Sequence, residues 1–181
     1  MNSVKKDVVV WLSSVVIGLN LCPFSAKPAR ENRVRFQVSN ATDEESLLAD
    51  LTVEMELLDK TSAVEIETTL LIAPNVLQDF YDYNQFLIWA ESLLKRNGWQ
   101  GVYQLASFHP QYCFAGAAED DVENFTNRAP YPILHIIREE SLAAALQYVD
   151  DVDEIPECNK KRVQGLSAEE KRNLFPYLFK K

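Results

Sequence analysis

Ile133-Leu134-His135-Ile136-Ile137-Arg138 is an aliphatic run with one histidine at its centre. Successive side chains of a strand point to opposite faces, so His135 shares a face with Ile133 and Ile137, whereas Arg138 faces the other way. The run therefore predicts a β-strand.

Three more strands and about five helices precede or follow this run. Alternating or β-branched residues predict strands at Arg33–Val38, Thr68–Ala73 and Val102–Phe108. Apolar residues three and four apart predict helices near residues 8–19, 42–58, 75–97 and 141–149, and from Ser167 onward. The segments between residues 109 and 132 and between residues 150 and 164 show neither period and are predicted loops.

The alternation of strands and helices predicts an α/β fold, with α+β as the alternative. We expect one small mixed four-stranded sheet flanked by about five helices, in a single domain over residues 1–181. A chain of this length can bury a sizeable hydrophobic core without disulfides or metals.

The charge of the chain disfavours nucleic acid as a partner. The formal net charge is −9, and phosphate backbones need a basic surface. The only dense basic run, Lys160-Lys161-Arg162, is interpreted as a solvated loop.

The apolar and cysteine content predicts a cytoplasmic protein without a membrane span. The apolar run Val8–Ile17 is shorter than the roughly 20 residues that cross a bilayer. Cys22, Cys113 and Cys158 are odd in number and far apart, which favours a reducing compartment over a disulfide framework. Cys22 follows a predicted helix C-terminus, where the negative end of the dipole disfavours a thiolate. A buried structural role is therefore favoured for Cys22, and a reactive thiol is the alternative.

Two histidines are the candidate catalytic residues. His109 follows a predicted strand end, where active sites of α/β folds gather, and Pro110 restricts the chain beside it. His135 lies within a strand and is either a satisfied core residue or an acid–base group of a cleft. For His109 the alternative is a structural hydrogen bond to a neighbouring loop.

Candidate ligand-binding residues cluster after Asp120. Asn124, Asn127 and Arg128 precede a stiff proline-containing segment, and Arg138 ends the strand that follows. A guanidinium matches a carboxylate or phosphate with two hydrogen bonds, and a nearby imidazole can transfer a proton. The alternative is an Asx turn with surface charges. The spacing of His109 and Cys113 is a weak metal signal, so no metal ligand is assigned.

Three motifs resemble a bacterial family known as domain of unknown function 1415. They are Gly18-Leu19-Asn20-Leu21-Cys22-Pro23-Phe24, Phe108-His109-Pro110 and Thr126-Asn127-Arg128-Ala129-Pro130-Tyr131-Pro132-Ile133-Leu134-His135. The resemblance covers nearly the whole chain and implies a stand-alone cytoplasmic bacterial domain. It implies no activity or cofactor, and Cys158 stands where an arginine is expected from the resemblance.

Two functions from different classes follow. The first is a small-molecule enzyme or ligand-binding domain, in which the histidines, asparagines and arginines above converge on one pocket for an anionic metabolite. The second is a non-catalytic protein–protein interaction or assembly module, for which a homo-oligomer is one form, because aromatic residues are abundant along the chain and in the tail Phe175–Phe179. A metal-binding protein is a third and less favoured prediction.

Overall fold

The computed structural model describes residues 3–147 and 151–179. The described α-helices are α1 (Ser3–Trp11), α2 (Ala26–Arg30), α3 (Glu44–Lys60), α4 (Phe80–Arg96), α5 (Glu139–Leu146), α6 (Ile155–Gln164) and α7 (Ala168–Leu174). The strands are β1 (Val34–Val38), β2 (Thr68–Ile72), β3 (Tyr103–Phe108) and β4 (Ile133–Arg138). A π-helical segment, Leu12–Ile17, continues α1, and 3₁₀ turns form at Val122–Thr126 and Pro176–Leu178.

The four strands form one mixed sheet in the order β1-β2-β4-β3. β1 and β2 are parallel, whereas β4 runs antiparallel to both β2 and β3. The aliphatic strand β4 is therefore central, and its His135 lies between Leu70 of β2 and Ala106 of β3. The predicted α/β fold with a mixed four-stranded sheet is confirmed.

Helices cover both faces of the sheet. On one side, called the α3–α4 face, Leu71, Leu134 and Ile136 belong to a core with residues of α3 and α4. On the other side, called the α1 face, Leu70, Ile72 and Ile133 belong to a core with α1, the π-helical segment and the C-terminal region. Burial on both sides explains why the strand β4 is aliphatic at nearly every position.

The N-terminal helix ends at the predicted position. A Cβ atom at Gly18 would overlap the backbone oxygen of Ser14, so this position tolerates only glycine without a shift. Asn20 takes a φ of 51°, a left-handed conformation that asparagine adopts more readily than most residues. No helix among residues 3–147 and 151–179 is long and apolar enough to span a bilayer.

The segment after residue 150 differs from the prediction. Residues 155–164 form α6, with Pro156 in its first turn, whereas the sequence predicted a loop over 150–164. Its described side chains include few apolar groups, and only Val163 is fully buried, so the usual 3.6-residue pattern is absent. Residue 150, and residues 148 and 149 of the predicted helix 141–149, lie outside the described residues.

The sequence predicts capping boxes at Thr42-Asp43-Glu44-Glu45 and at Ser167-Ala168-Glu169-Glu170. The second prediction is confirmed, and the first is wrong by one residue. Ser167 forms a capping box with Glu170 at the start of α7. At α3 the N-cap is Asp43 rather than Thr42, and its carboxylate accepts from the backbone N–H of Ser46 at 2.8 Å. Asp is as good an N-cap as Thr or better, which explains the shift.

Candidate functional site

The imidazole of His109 is fully buried and both of its nitrogens have partners. Nδ1 accepts from the backbone N–H of Gln111 at 3.0 Å, so Nε2 carries the proton and donates to the carbonyl oxygen of Leu77 at 3.0 Å. The rings of Phe80 and Tyr83 lie 5.3 and 5.1 Å away, centre to centre. Burial lowers the pKa of His109, because the charged form loses hydration. The neutral ring ties two chain segments together.

Asn124 organises the loop between β3 and β4 from inside. It is fully buried, and its Oδ1 accepts from the backbone N–H of Phe114 at 3.0 Å. Its Nδ2 donates to the carbonyl oxygens of Ala118 and Glu119 at 2.8 and 3.3 Å. The sequence suggested Asn124 as a ligand-binding residue, but its amide group hydrogen-bonds to the backbone of its own loop.

Asn127 fastens the same loop to the end of β3. Its Nδ2 donates to the carbonyl oxygen of Ser107 at 3.2 Å, and its own carbonyl oxygen accepts from the N–H of His109 at 3.2 Å. The N–H of Ala129 also donates to the carbonyl oxygen of His109. These contacts extend the pairing of β3 beyond Phe108.

Arg128 joins the loop to both termini of the chain. Its guanidinium donates to the carbonyl oxygens of Tyr112 and Glu119 at 3.2 and 2.6 Å. Its own carbonyl oxygen accepts from the indole N–H of Trp11 and the hydroxyl of Tyr177, each at 3.0 Å. Burial lowers the pKa of Arg128. Both the backbone and the side chain of Arg128 are thus used in holding the fold.

His135 lies on the α1 face and has a single side-chain partner. The hydroxyl of Thr68 donates to the carbonyl oxygen of Ile136 at 2.6 Å, so the contact of 2.6 Å between Nε2 and Thr68 Oγ1 is assigned to a ring N–H that donates. The ring of Phe108 lies 6.3 Å away. Burial lowers the pKa of His135 to about 4, so this histidine is neutral at pH 7.

Arg138 caps the C-terminus of α3. Its Nη2 donates to the carbonyl oxygens of Leu58 and Thr61 at 2.8 and 2.6 Å, and its Nε donates to that of Ile66 at 3.2 Å. Its guanidinium also lies over the ring of Tyr103. A cation beside the last carbonyl groups of a helix is favourable because those groups carry partial negative charge.

The structure brings four of the six predicted pocket residues into one loop and separates the other two. His135 lies on the α1 face, whereas His109 packs against α4 on the opposite face. Tyr83, which contacts His109, donates to the carbonyl oxygen of Ile133 at 2.7 Å, so His109 lies at the start of β4. Arg138 ends that strand, roughly 17 Å further along. The two imidazoles and Arg138 therefore do not meet in one pocket.

Cys22 is held in a turn and is partly buried. Its carbonyl oxygen accepts from the backbone N–H and the hydroxyl of Ser25 at 3.2 and 2.8 Å. Burial raises the pKa of the Cys22 thiol, and neighbouring hydrogen bonds offset this only in part. A thiol that stays protonated is a poor nucleophile, which agrees with the structural interpretation of this cysteine.

Two residues that sequence analysis missed hold the same turn. Asn159 Nδ2 donates to the carbonyl oxygen of Leu21 and Arg162 Nη1 donates to that of Asn20, each at 2.6 Å. Both residues lie on α6, which the sequence predicted as a loop, so their common helical face was not visible. A usable signal was Pro156, because proline is common in the first turn of a helix.

An acidic groove of about 400 Å³ lies where the chain leaves β1 and β2. Its walls include the carboxylates of Asp43, Glu44, Asp79 and Asp82. Two of these, Asp43 and Asp79, cap the N-termini of α3 and α4. This charge would repel the anionic metabolite that the sequence suggested.

A smaller cavity is a cleft of about 260 Å³ between the Asn20–Pro23 turn and α6. Its walls include Cys158, Arg162 and the carboxylates of Asp151 and Glu154. None of the seven predicted site residues lines this cleft or the acidic groove. Within the described part of the chain, no three His, Cys, Asp or Glu side chains are placed to hold a metal ion.

The fold and this loop network define an α/β domain whose irregular β3–β4 connection is fixed by buried polar side chains. The chain belongs to the family described as protein of unknown function (DUF1415), whose profile matches residues 3–173. The resemblance inferred from the motifs is thus confirmed at the level of the family. No curated protein and no solved structure is significantly similar to this chain.

Proposed function

We propose that this domain is a non-catalytic protein-binding module, and that its partner docks on the exposed side of α4. The observation that carries the proposal is the exposure of three large apolar side chains along one side of one helix. Tyr81, Ile88 and Trp89 are 72%, 58% and 50% exposed. We call these three residues the α4 surface.

The three residues lie on one side of the helix. Ile88 is seven residues after Tyr81 and therefore almost directly above it after two turns, and Trp89 flanks Ile88. The opposite side of α4 is buried in the core through Tyr83, Phe86, Ala90, Leu93 and Leu94. On the exposed side these three residues lie among the polar residues Asn84, Gln85 and Ser92, where a helix that only covers a core needs no large apolar side chain.

Trp89 has the properties of an interface anchor. Its ring lies 6.4 Å from the ring of Phe86 in an edge-on arrangement, so one side is packed while half of the residue stays exposed. A partly packed aromatic side chain loses little conformational entropy on binding. Trp and Tyr are also the residues that contribute most often to binding energy at protein interfaces.

The charge of α4 permits association in an acidic protein. The helix carries two acidic residues, Asp82 and Glu91, and two basic residues, Lys95 and Arg96. It is therefore neutral, whereas the whole chain carries −9. A partner of either charge can approach this helix without strong local repulsion, which favours an apolar contact over ionic recognition.

An enzymatic role for the predicted polar residues has less support. Chemistry needs groups that are free to meet a substrate. The polar side-chain atoms of His109, Asn124 and Asn127, and the guanidinium groups of Arg128 and Arg138, hydrogen-bond to backbone groups of the domain. Their role in ligand binding stays a prediction, and the geometry favours a structural role for them.

Site-specific photo-crosslinking in the source cells tests the proposal. A benzophenone amino acid replaces Ile88 in one variant and Val64, which is 79% exposed but distant in sequence from α4, in the control. We expect one defined adduct from position 88, its loss when Trp89→Ala is added, and none from position 64. The same adducts from both positions, or no adduct from either, would contradict the proposal.

A further inference from the structure

The strand β1 lies at the edge of the sheet and pairs on one side only, with β2. Two backbone bonds fix which of its residues face that neighbour. The carbonyl oxygen of Arg33 accepts from the N–H of Glu67, and the N–H of Ser39 donates to the carbonyl oxygen of Ile72. Backbone groups alternate in direction along a strand, so odd-numbered residues of β1 bond to β2 and even-numbered residues point away.

The outward-pointing backbone groups belong to Val34, Phe36 and Val38. In the described part of the chain, no backbone carbonyl oxygen outside the sheet accepts from the N–H groups of these three residues. The carbonyl oxygen of Val38 accepts only a long hydrogen bond of 3.4 Å, from the side-chain amide of Gln37. Lys5 of α1 lies over the Phe36 ring at 5.9 Å, which covers the side-chain face of the strand. The edge presents a row of donors and acceptors to a further strand.

We propose that this edge pairs with β1 of a second copy of the chain. The two strands run antiparallel around a two-fold axis at Phe36, and the two sheets join into one. This proposal goes beyond the docking of a partner on the α4 surface and does not depend on it. It rests on the sequence of β1, Val34-Arg35-Phe36-Gln37-Val38, which reads with the same apolar pattern in both directions.

Around the two-fold axis, apolar residues oppose apolar residues on the α1 face of the joined sheet. Phe36 opposes Phe36 of the second copy, and Val34 opposes Val38, all on the α1 face. These are the residues whose backbone groups point outward, so each opposing pair exchanges hydrogen bonds as antiparallel strands require. Aromatic and β-branched residues opposite one another are favourable cross-strand pairs.

Strand length and the apolar pattern select this register over its neighbours. With the axis at Phe36, all five residues of β1 are paired, and Arg35 opposes the neutral Gln37 of the second copy. With the axis at Val34, Phe36 would instead oppose Asn32, which lies outside the strand. With the axis at Val38, Phe36 would oppose Asn40. The apolar match would be lost in both cases.

Arg35 is already neutralised within its own copy. Its guanidinium donates to both carboxylate oxygens of the buried Glu54, at 2.6 and 2.9 Å, and to Gln37 Oε1 at 2.9 Å. Approach of a second copy therefore brings no bare cation to the edge, although the net charge of each chain is −9.

Cysteine pairing tests the register directly. Directly opposed residues with exchanged hydrogen bonds have Cα atoms about 5.5 Å apart, within the range for a disulfide. We expect Phe36→Cys to form a cross-linked dimer on mild oxidation. Val34→Cys alone is the matched control, because its two copies would lie roughly 13 Å apart. Adding Val38→Cys to Val34→Cys should restore cross-linking. Equal cross-linking of the two single variants would overturn the proposal. So would a result in which both single variants and the double variant all stay monomeric.

Sedimentation equilibrium of the full chain supplies the second test. Gln37→Lys places a cation opposite Arg35 at two symmetric positions and should weaken the dimer about tenfold, whereas Gln37→Glu should strengthen it. Far-ultraviolet circular dichroism checks that both variants fold. A protein that stays monomeric at high concentration, or a dimer indifferent to both substitutions, overturns the proposal. A dimer that responds to Trp89→Ala instead also overturns it, and identifies the α4 partner as a second copy.

Discussion

The ring of His109 donates a hydrogen bond of 3.0 Å to the carbonyl oxygen of Leu77, a buried residue with a φ of 57°. A left-handed conformation is unfavourable for a branched residue and persists only where surrounding contacts fix it. This hydrogen bond joins the start of the β3–β4 loop to the segment that leads into α4. His109, which the sequence suggested as a catalytic residue, thus links the β3–β4 loop to the segment before α4.

We expect His109→Ala to lower the free energy of unfolding by about 2–4 kcal/mol. The change leaves the carbonyl oxygen of Leu77 and the N–H of Gln111 without partners and opens a cavity beside Phe80. His109→Gln is the control, because its amide can still donate to Leu77 and should cost less. Urea denaturation measures both. Equal stability of His109→Ala and the native protein would show that this link is unimportant.

The lowered pKa of His135, the histidine of β4, predicts that the free energy of unfolding depends on pH. Its pKa is about 4 in the folded protein against an ordinary value of 6.5. Between these values the unfolded chain binds a proton that the folded chain does not, so stability decreases as the pH falls from about 6.5 to about 4. The full contribution of His135 is no more than about 3 kcal/mol.

His135→Leu isolates this contribution from the carboxylates that titrate in the same range. Thr68 keeps its bond to the carbonyl oxygen of Ile136, so the substitution leaves no polar group unpaired. Denaturation across pH 4 to 7 should show a smaller loss of stability for the variant. Parallel curves for the two proteins would mean that the ring is not desolvated in the folded state.

A conservative substitution, Arg128→Lys, distinguishes a structural role of Arg128 from a purely electrostatic one. Arg128→Lys keeps the charge, but a lysine ammonium cannot reproduce the donor fork that reaches Tyr112 and Glu119. We expect a loss of about 1–2 kcal/mol in the free energy of local opening, seen as faster proteolysis between residues 112 and 121. Cleavage at the native rate would indicate that charge alone is required.

The C-terminal tail is expected to be part of the core. Phe175 is fully buried and lies 5.0 Å from the ring of Phe125, edge to face. Phe175→Ala should destabilise the protein by about 3–5 kcal/mol, whereas Phe179→Ala, at a residue 47% exposed, should change it little. Thermal unfolding compares the two. Similar effects of both substitutions would contradict the packing of this segment.

The helices and strands were predictable wherever apolar residues repeat with a clear period. All four strands lie where the sequence predicts them, within one or two residues. The helix α6 was not predictable, because it is polar on most sides and is held through Asn159 and Arg162 rather than through an apolar stripe. Its residues contact the 3₁₀ turn at Val122–Thr126, far away in sequence.

The sequence by itself determined the fold class, the place of an aliphatic strand at Ile133–Arg138, and the family. The tertiary structure alone decided which partners the polar residues have. His109 and His135 are 26 residues apart in the chain and look alike as candidates, yet the sheet lies between them. Side-chain alternation sets the face of His135, but only the packing of a loop against α4 sets the face of His109. Long-range packing of that kind has no periodic signature in the sequence.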